Sequence, residues 1–199
     1  MNSHAQSVKR GSLEVICGSM FSGKSEELIR RLTRATYARQ EVLVIKPRID
    51  TRRGLEQVTS HSGDAIKAQA LDSLAELGQT TATVIGIDEV QFFTVNTTSL
   101  ILQLVEQGKR VIVAGLDLDF RGIPFGCMPS LMAVADHITK LKAICVICGS
   151  DAQFSQRLVN GNPARSTDPI VMIGAQEQYE ARCRSCFVID KAAFMHITQ

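Results

Sequence analysis

Eight consecutive residues, Gly18-Ser19-Met20-Phe21-Ser22-Gly23-Lys24-Ser25, follow the pattern G-x-x-x-x-G-K-[ST] that cradles nucleotide phosphates. The glycines let the backbone curl so that several N–H groups face phosphate oxygens beside the positive end of a helix. Lys24 would then reach the β- and γ-phosphates. Ser25 offers a hydroxyl to Mg²⁺, a hard ion that prefers oxygen ligands. ATP is the ligand this arrangement predicts. A plain glycine turn opening a helix would explain neither Lys24 nor Ser25 at this spacing.

A second group lies further on, where the apolar run Thr83-Val84-Ile85-Gly86-Ile87 ends in Asp88-Glu89. Phosphate-loop enzymes place acids at such a strand tip opposite the nucleotide. Asp88 would hold Mg²⁺ directly or through water, and Glu89 would point toward whatever attacks the γ-phosphorus, as its general base. Acids also end strands merely to meet water; the phosphate loop upstream is what favours the chemical reading.

The third group is Cys145-x-x-Cys148 and Cys183-x-x-Cys186, each pair spaced to turn two thiolates onto one metal ion. Together they predict a tetrahedral Zn²⁺ site, structural rather than catalytic because four thiolates leave no open position. Disulfides are the alternative, disfavoured in a chain that carries an intracellular nucleotide motif. Residues 149–182 form a long closure between the pairs, with a turn at Asn160-Gly161-Asn162-Pro163, and something should bind beneath it. Cys17 and Cys127 lack such a partner and read as small apolar residues.

These groups need a scaffold. Leu13–Cys17, Val42–Lys46, Thr83–Asp88 and Arg110–Leu116 read as strands, several of them continuously apolar as strands covered on both faces tend to be. Between them, Leu28, Ile29, Leu32 and Ala35 recur at helical spacing after the glycine loop. Glu26 and Glu27 open that helix, and Arg34 and Arg39 lie near its end, complementing its dipole. Ser99–Gln107 is the clearest second helix, with Gly108 beyond its end. The alternation predicts an α/β domain with a parallel sheet and helices on both faces. A chain of 199 residues with 45% apolar content can bury one such core and carry a small appended module. The boundaries predicted are residues 11–141 for the phosphate-loop domain and 142–192 for the zinc-binding module.

Net charge of +2 gives no field that implies nucleic acid or an anionic membrane as partner. No apolar run approaches a bilayer span, and Met1 to Arg10 lack the hydrophobic centre of a secretory signal, so a cytoplasmic protein with a frayed N-terminal tail is expected. His61 and the other histidines lack ligand spacing and receive no role.

G-S-M-F-S-G-K-S, then D-E-V-Q-F-F at Asp88–Phe93, L-D-L-D-F-R-G-I-P-F-G at Leu116–Gly126 and the paired cysteines resemble, in that order, the cellular-type thymidine kinase family. The resemblance runs from about Gly11 to Asp190. It implies a RecA-like α/β core with a zinc-anchored lasso closing over the nucleoside, and a homotetramer. It implies that Glu89 accepts the 5′-hydroxyl proton of thymidine while that oxygen attacks the γ-phosphorus of ATP, and that Gly18 to Ser25, Asp88 and Gln91 serve the nucleotide. Asp50-Thr51-Arg52 is similar to the family's D-T-R, which places Arg52 near the phosphates. Met20, Leu116, Phe120 and Phe125 match apolar positions around thymine. Ser155, Met172, Gly174 and Tyr179 match positions near the base or sugar. Val90 stands where the family often has glycine or alanine, and Ser155 where many members carry threonine, which predicts a looser contact with the 5-methyl group.

Two other readings stay open on sequence alone. One is an ATP-driven nucleic-acid-binding module gripping DNA with its zinc ribbon, against which Arg157, Arg165 and Arg182 are too few for a phosphate-tracking stripe. The other is a nucleoside-monophosphate kinase, kept alive by the basic residues between Arg48 and Arg53.

Overall fold

The computed structural model describes residues 10–50, 56–60, 63–93, 96–170 and 177–190. The N-terminal tail, Arg52, His61, Met172 and Gly174 lie outside them.

In chain order the elements are β1 (Ser12–Gly18), α1 (Lys24–Tyr37), β2 (Val42–Pro47), β3 (Gln57–Thr59), β4 (Ala65–Lys67), β5 (Gln69–Leu71), β6 (Val84–Ile87), α2 (Thr97–Glu106), β7 (Arg110–Gly115), α3 (Met128–Val134) and β8 (His137–Leu141). Then come β9 (Ala143–Ile144), β10 (Asp151–Ala152), β11 (Phe154–Val159), β12 (Asn162–Pro163) and β13 (Glu177–Arg182), with 3₁₀ turns at Leu74–Leu77 and Val90–Phe92. Six strands form one sheet in the order β5-β2-β6-β7-β1-β8, and every neighbouring pair is parallel. This is the mixed α/β fold that the alternation of the sequence predicts.

Because side chains alternate across a strand, β1 and β7 feed two cores at once. Val15, Cys17, Val111 and Val113 point to the side covered by Ile101 and Leu104 of α2 and by Met128 and Leu131 of α3. Ile16, Ile112 and Ala114 point to the side covered by Leu28, Ile29, Leu32 and Ala35 of α1. Helix α1 sits close to the sheet at Gly86, where a Cβ would lie 2.5 Å from Leu32 Cδ1. Glu14 on β1 ties down the same helix by accepting from Arg31 Nη1 at 2.7 Å, and it also accepts from Arg110 Nε at 2.6 Å.

Three adjacent strands decide where chemistry can happen. At their carboxyl ends, β6 leads to Asp88 and Glu89, β7 to Leu116, and β1 to the glycine loop. In a parallel sheet these ends share one edge, and the crevice outside that edge is where ligands collect.

After β8 the chain leaves the large sheet and builds two small antiparallel ones, β10-β9 and β12-β11-β13. Their core holds Ala143, Cys145, Ala152, Ala181 and Cys183, with Cys186 packed against it.

Candidate active site

The glycine loop is shaped by positions that only some residues tolerate. Gly18 has φ 141°, and a Cβ there would lie 2.3 Å from the Leu141 carbonyl oxygen. Gly23 at φ 84° opens α1, and Phe21 holds φ 65° without being glycine, a local strain typical of functional loops. Inside the curl, Lys24 is 8% exposed and its Nζ donates to the Ser19 carbonyl at 2.7 Å. Ser22 Oγ donates to the same carbonyl at 2.8 Å.

Across from it, Ser25 Oγ donates to Asp88 Oδ2 at 3.2 Å, bringing together the two oxygen-bearing side chains assigned to Mg²⁺. Glu89, one residue on, adopts φ 49°, ψ 40°, a left-handed conformation that costs a non-glycine residue on the order of 1 kcal/mol or more. That bend turns its carboxylate away from the strand. Gln91 fixes it there: its Nε2 donates to Glu89 Oε2, while its Oε1 accepts the Leu116 N–H at 3.1 Å. Gln91 is 4% exposed, and it fits only because residue 115 is glycine, whose Cβ would lie 2.5 Å from Gln91 Oε1. The sequence marked Gln91 as a nucleotide residue. Its observed contacts join the acid to the end of the neighbouring strand.

Met20, Phe21, Gly23, Lys24, Ser25, Glu26, Glu89 and Leu116 line one cavity of about 250 Å³. The phosphate loop and the candidate base therefore face the same space. Leu116 and Met20, two of the four residues assigned to a base pocket, are on its wall. Phe120 is buried, with the Arg157 guanidinium 4.7 Å from its ring centroid. Phe125 meets Phe92 edge to face, centroids 5.5 Å apart. Ser155 lies on β11 and accepts the Met20 N–H at 2.9 Å, and Tyr179 sits on β13 opposite Arg157. Asp50 accepts from Lys46 Nζ at 3.1 Å; its neighbour Arg52 is outside the described residues. Val90 is fully buried in the core with Met128.

Burial pushes the Asp88 carboxyl up to about 7, the neighbouring Glu89 carboxylate adds to the shift, and Lys24 and Ser25 pull against it. An unfolded chain ionises this group near 3.8. The folded protein thus holds the extra proton between about 4 and 7, and its stability falls as pH rises through that window. Asp88→Asn removes the effect. In nucleotide-free protein the variant should gain on wild type by on the order of 1 to 4 kcal/mol between pH 5 and pH 8. Thermal denaturation at the two pH values reads this, and a difference that does not change with pH contradicts it.

At the far end of the chain the four Sγ atoms of Cys145, Cys148, Cys183 and Cys186 lie within 4.8 Å of one another, with Cys148 and Cys183 at 3.6 Å. A tetrahedral Zn²⁺ with bonds of about 2.3 Å spaces its sulfurs by roughly 3.8 Å, so the donor set fits. Burial raises the Cys145 thiol, but the backbone N–H groups of Cys183, Cys148 and Ile147 outweigh it and hold the group down at about 6. An anionic sulfur is thus favoured at Cys145, whereas the hydrogen bonds with the Cys183 and Cys148 sulfurs push the Cys186 thiol up to about 12. By contrast, burial drives Cys17 up to about 11, in keeping with a packing role.

The family model for thymidine kinase matches residues 11–187. The chain belongs to the thymidine kinase family. Membership makes it a nucleoside kinase, a phosphotransferase. The sequence did not reveal two supports of the kinase's site. Asp119 shapes the loop after β7 by accepting the N–H groups of Arg121 at 2.8 Å and Ile123 at 3.2 Å; its position within Leu116–Gly126 was the available signal. Arg157 is wholly buried, and nothing in its sequence surroundings distinguishes it from a surface arginine.

Proposed function

We propose that the protein transfers the γ-phosphate of ATP to the 5′-hydroxyl of thymidine, supplying a DNA precursor by salvage in the cytoplasm. The observation that carries the reading is the common cavity of Lys24, Ser25 and Glu89. In this reading the loop from Gly18 to Ser25 holds the phosphates, and Glu89 takes the proton as the nucleoside oxygen attacks in line. Lys24 stabilises the charge that develops on the transferred group, and Arg52 contributes likewise. Met20, Leu116, Phe120 and Phe125 enclose the base, and Ser155, Met172, Gly174 and Tyr179 complete the nucleoside site.

Ser25 and Asp88 would hold Mg²⁺, which would supply positive charge against the phosphates. The four cysteines would hold Zn²⁺ as a structural ion. The same reading divides the chain into a domain of residues 11–141 and a module of residues 142–192, assembled as a homotetramer. A membrane role lacks support, since among the described residues no helix is long and apolar enough to cross one. A nucleic-acid reading also loses ground, because Arg157 is buried and Arg182 is paired with Glu180.

Incubating the protein with γ-labelled ATP and, separately, thymidine, deoxyuridine, thymidine monophosphate and single-stranded DNA tests the proposal. Label should pass to thymidine to give the monophosphate. Transfer only to the monophosphate, or ATP hydrolysis stimulated by DNA without transfer, overturns it.

A further inference from the structure

The phosphate loop is fastened to the cysteine module by two hydrogen bonds that span most of the chain. Ser19 Oγ donates to the Ala152 carbonyl at 3.2 Å, and the Met20 N–H donates to Ser155 Oγ at 2.9 Å. The acceptors lie on β10 and β11, directly after the first cysteine pair. The second bond matters most because of what lies at the other end of the same peptide. The Ser19 carbonyl and the Met20 N–H belong to one planar unit and point in opposite directions. The carbonyl receives Lys24 Nζ at 2.7 Å and Ser22 Oγ at 2.8 Å. Whatever fixes the N–H therefore fixes the carbonyl, and with it the resting place of the lysine.

We propose that Ser155 is a positioning residue for the phosphate loop, acting on Lys24 through the single peptide unit that joins Ser19 to Met20. Its hydroxyl, 3% exposed as a residue, is the acceptor that keeps this peptide from rotating. Were the acceptor lost, a poorly hydrated N–H would be left without its bond, and rotation of the plane would relieve it. That rotation turns the carbonyl away from Lys24 and Ser22 and reshapes the curl that receives phosphate. Ser155 thus acts on the nucleotide end of the reaction, whereas a side chain that only touched the base would act on the nucleoside end. The inference rests on the reading of this loop as the ATP site.

Steady-state kinetics of Ser155→Ala, with ATP and thymidine varied separately, tests it. KM for ATP should rise roughly 5- to 50-fold, more than KM for thymidine, with metal content near wild type. Ser155→Thr, which keeps the hydroxyl, should restore ATP KM to within about threefold. Unchanged ATP KM in the alanine variant, or a shift confined to thymidine KM, overturns the proposal. If wild type itself shows no saturable binding in a direct ATP titration, the reading of the loop fails instead, and the two failures are distinct. Should the alanine variant not fold, amide hydrogen exchange in wild type decides. The Met20 N–H must be protected well above a surface loop amide, and fast exchange there sinks the idea.

Discussion

Glu89→Gln is expected to lower kcat by about 10²- to 10⁴-fold while leaving ATP affinity within about threefold. Glutamine has the shape of glutamate, so the left-handed bend at residue 89 and the contact with Gln91 can persist. What disappears is the capacity to accept a proton at neutral pH. The phosphate contacts proposed above belong to the loop after β1, a different strand end, and would be untouched. Rapid-quench measurement of the first turnover, alongside direct titration with ATP, separates the two effects. Chemistry at the wild-type rate would remove Glu89 from its role, and an equal loss of ATP affinity would mean that the side chain shapes the loop instead.

Stripping the zinc proposed for the four cysteines should have an effect of similar size by a different route. The cluster around the cysteines is three alanines and three cysteines; with Phe154, Leu158 and Ala164 also buried, this is still little apolar surface to hold two small sheets together. A structural zinc site supplies on the order of 10 kcal/mol or more in small modules, so an ion held by the four thiolates would provide much of the order here. Chelation is expected to unfold the module, open it to proteolysis near residues 149–182, and reduce phosphate transfer by more than about tenfold. Added Zn²⁺ should reverse all three. Complete metal removal, verified by elemental analysis, with unchanged transfer and protease resistance would show that the cysteines hold nothing the fold needs.

The parts of this molecule visible in its sequence are those set by local pattern. Leu28, Ile29, Leu32 and Ala35 are all buried, and the strand read as Val42–Lys46 runs Val42–Pro47, because continuous apolar runs and a 3.6-residue period leave little choice. Helix α2 begins at Thr97, two residues before the predicted start, with Asn96 in a left-handed conformation just ahead of it. The edge strands β5 and β8 escaped notice, the one only three residues long and the other largely exposed, so neither shows an apolar run. At the site, residue types identified the glycine loop, the acidic pair and the cysteines. The bond from Met20 to Ser155, and the wedge of Gln91 between Glu89 and Leu116, depend on which surfaces the fold brings together. No spacing along the chain encodes them.

Lys24, already shielded from solvent and resting on the Ser19 carbonyl, changes what nucleotide arrival involves. An ammonium normally sheds its water shell as it meets a phosphate, and that dehydration weakens the encounter. Here folding has already removed most of that shell, so an incoming anion would meet an ammonium with little water left to shed. The cation waits dry.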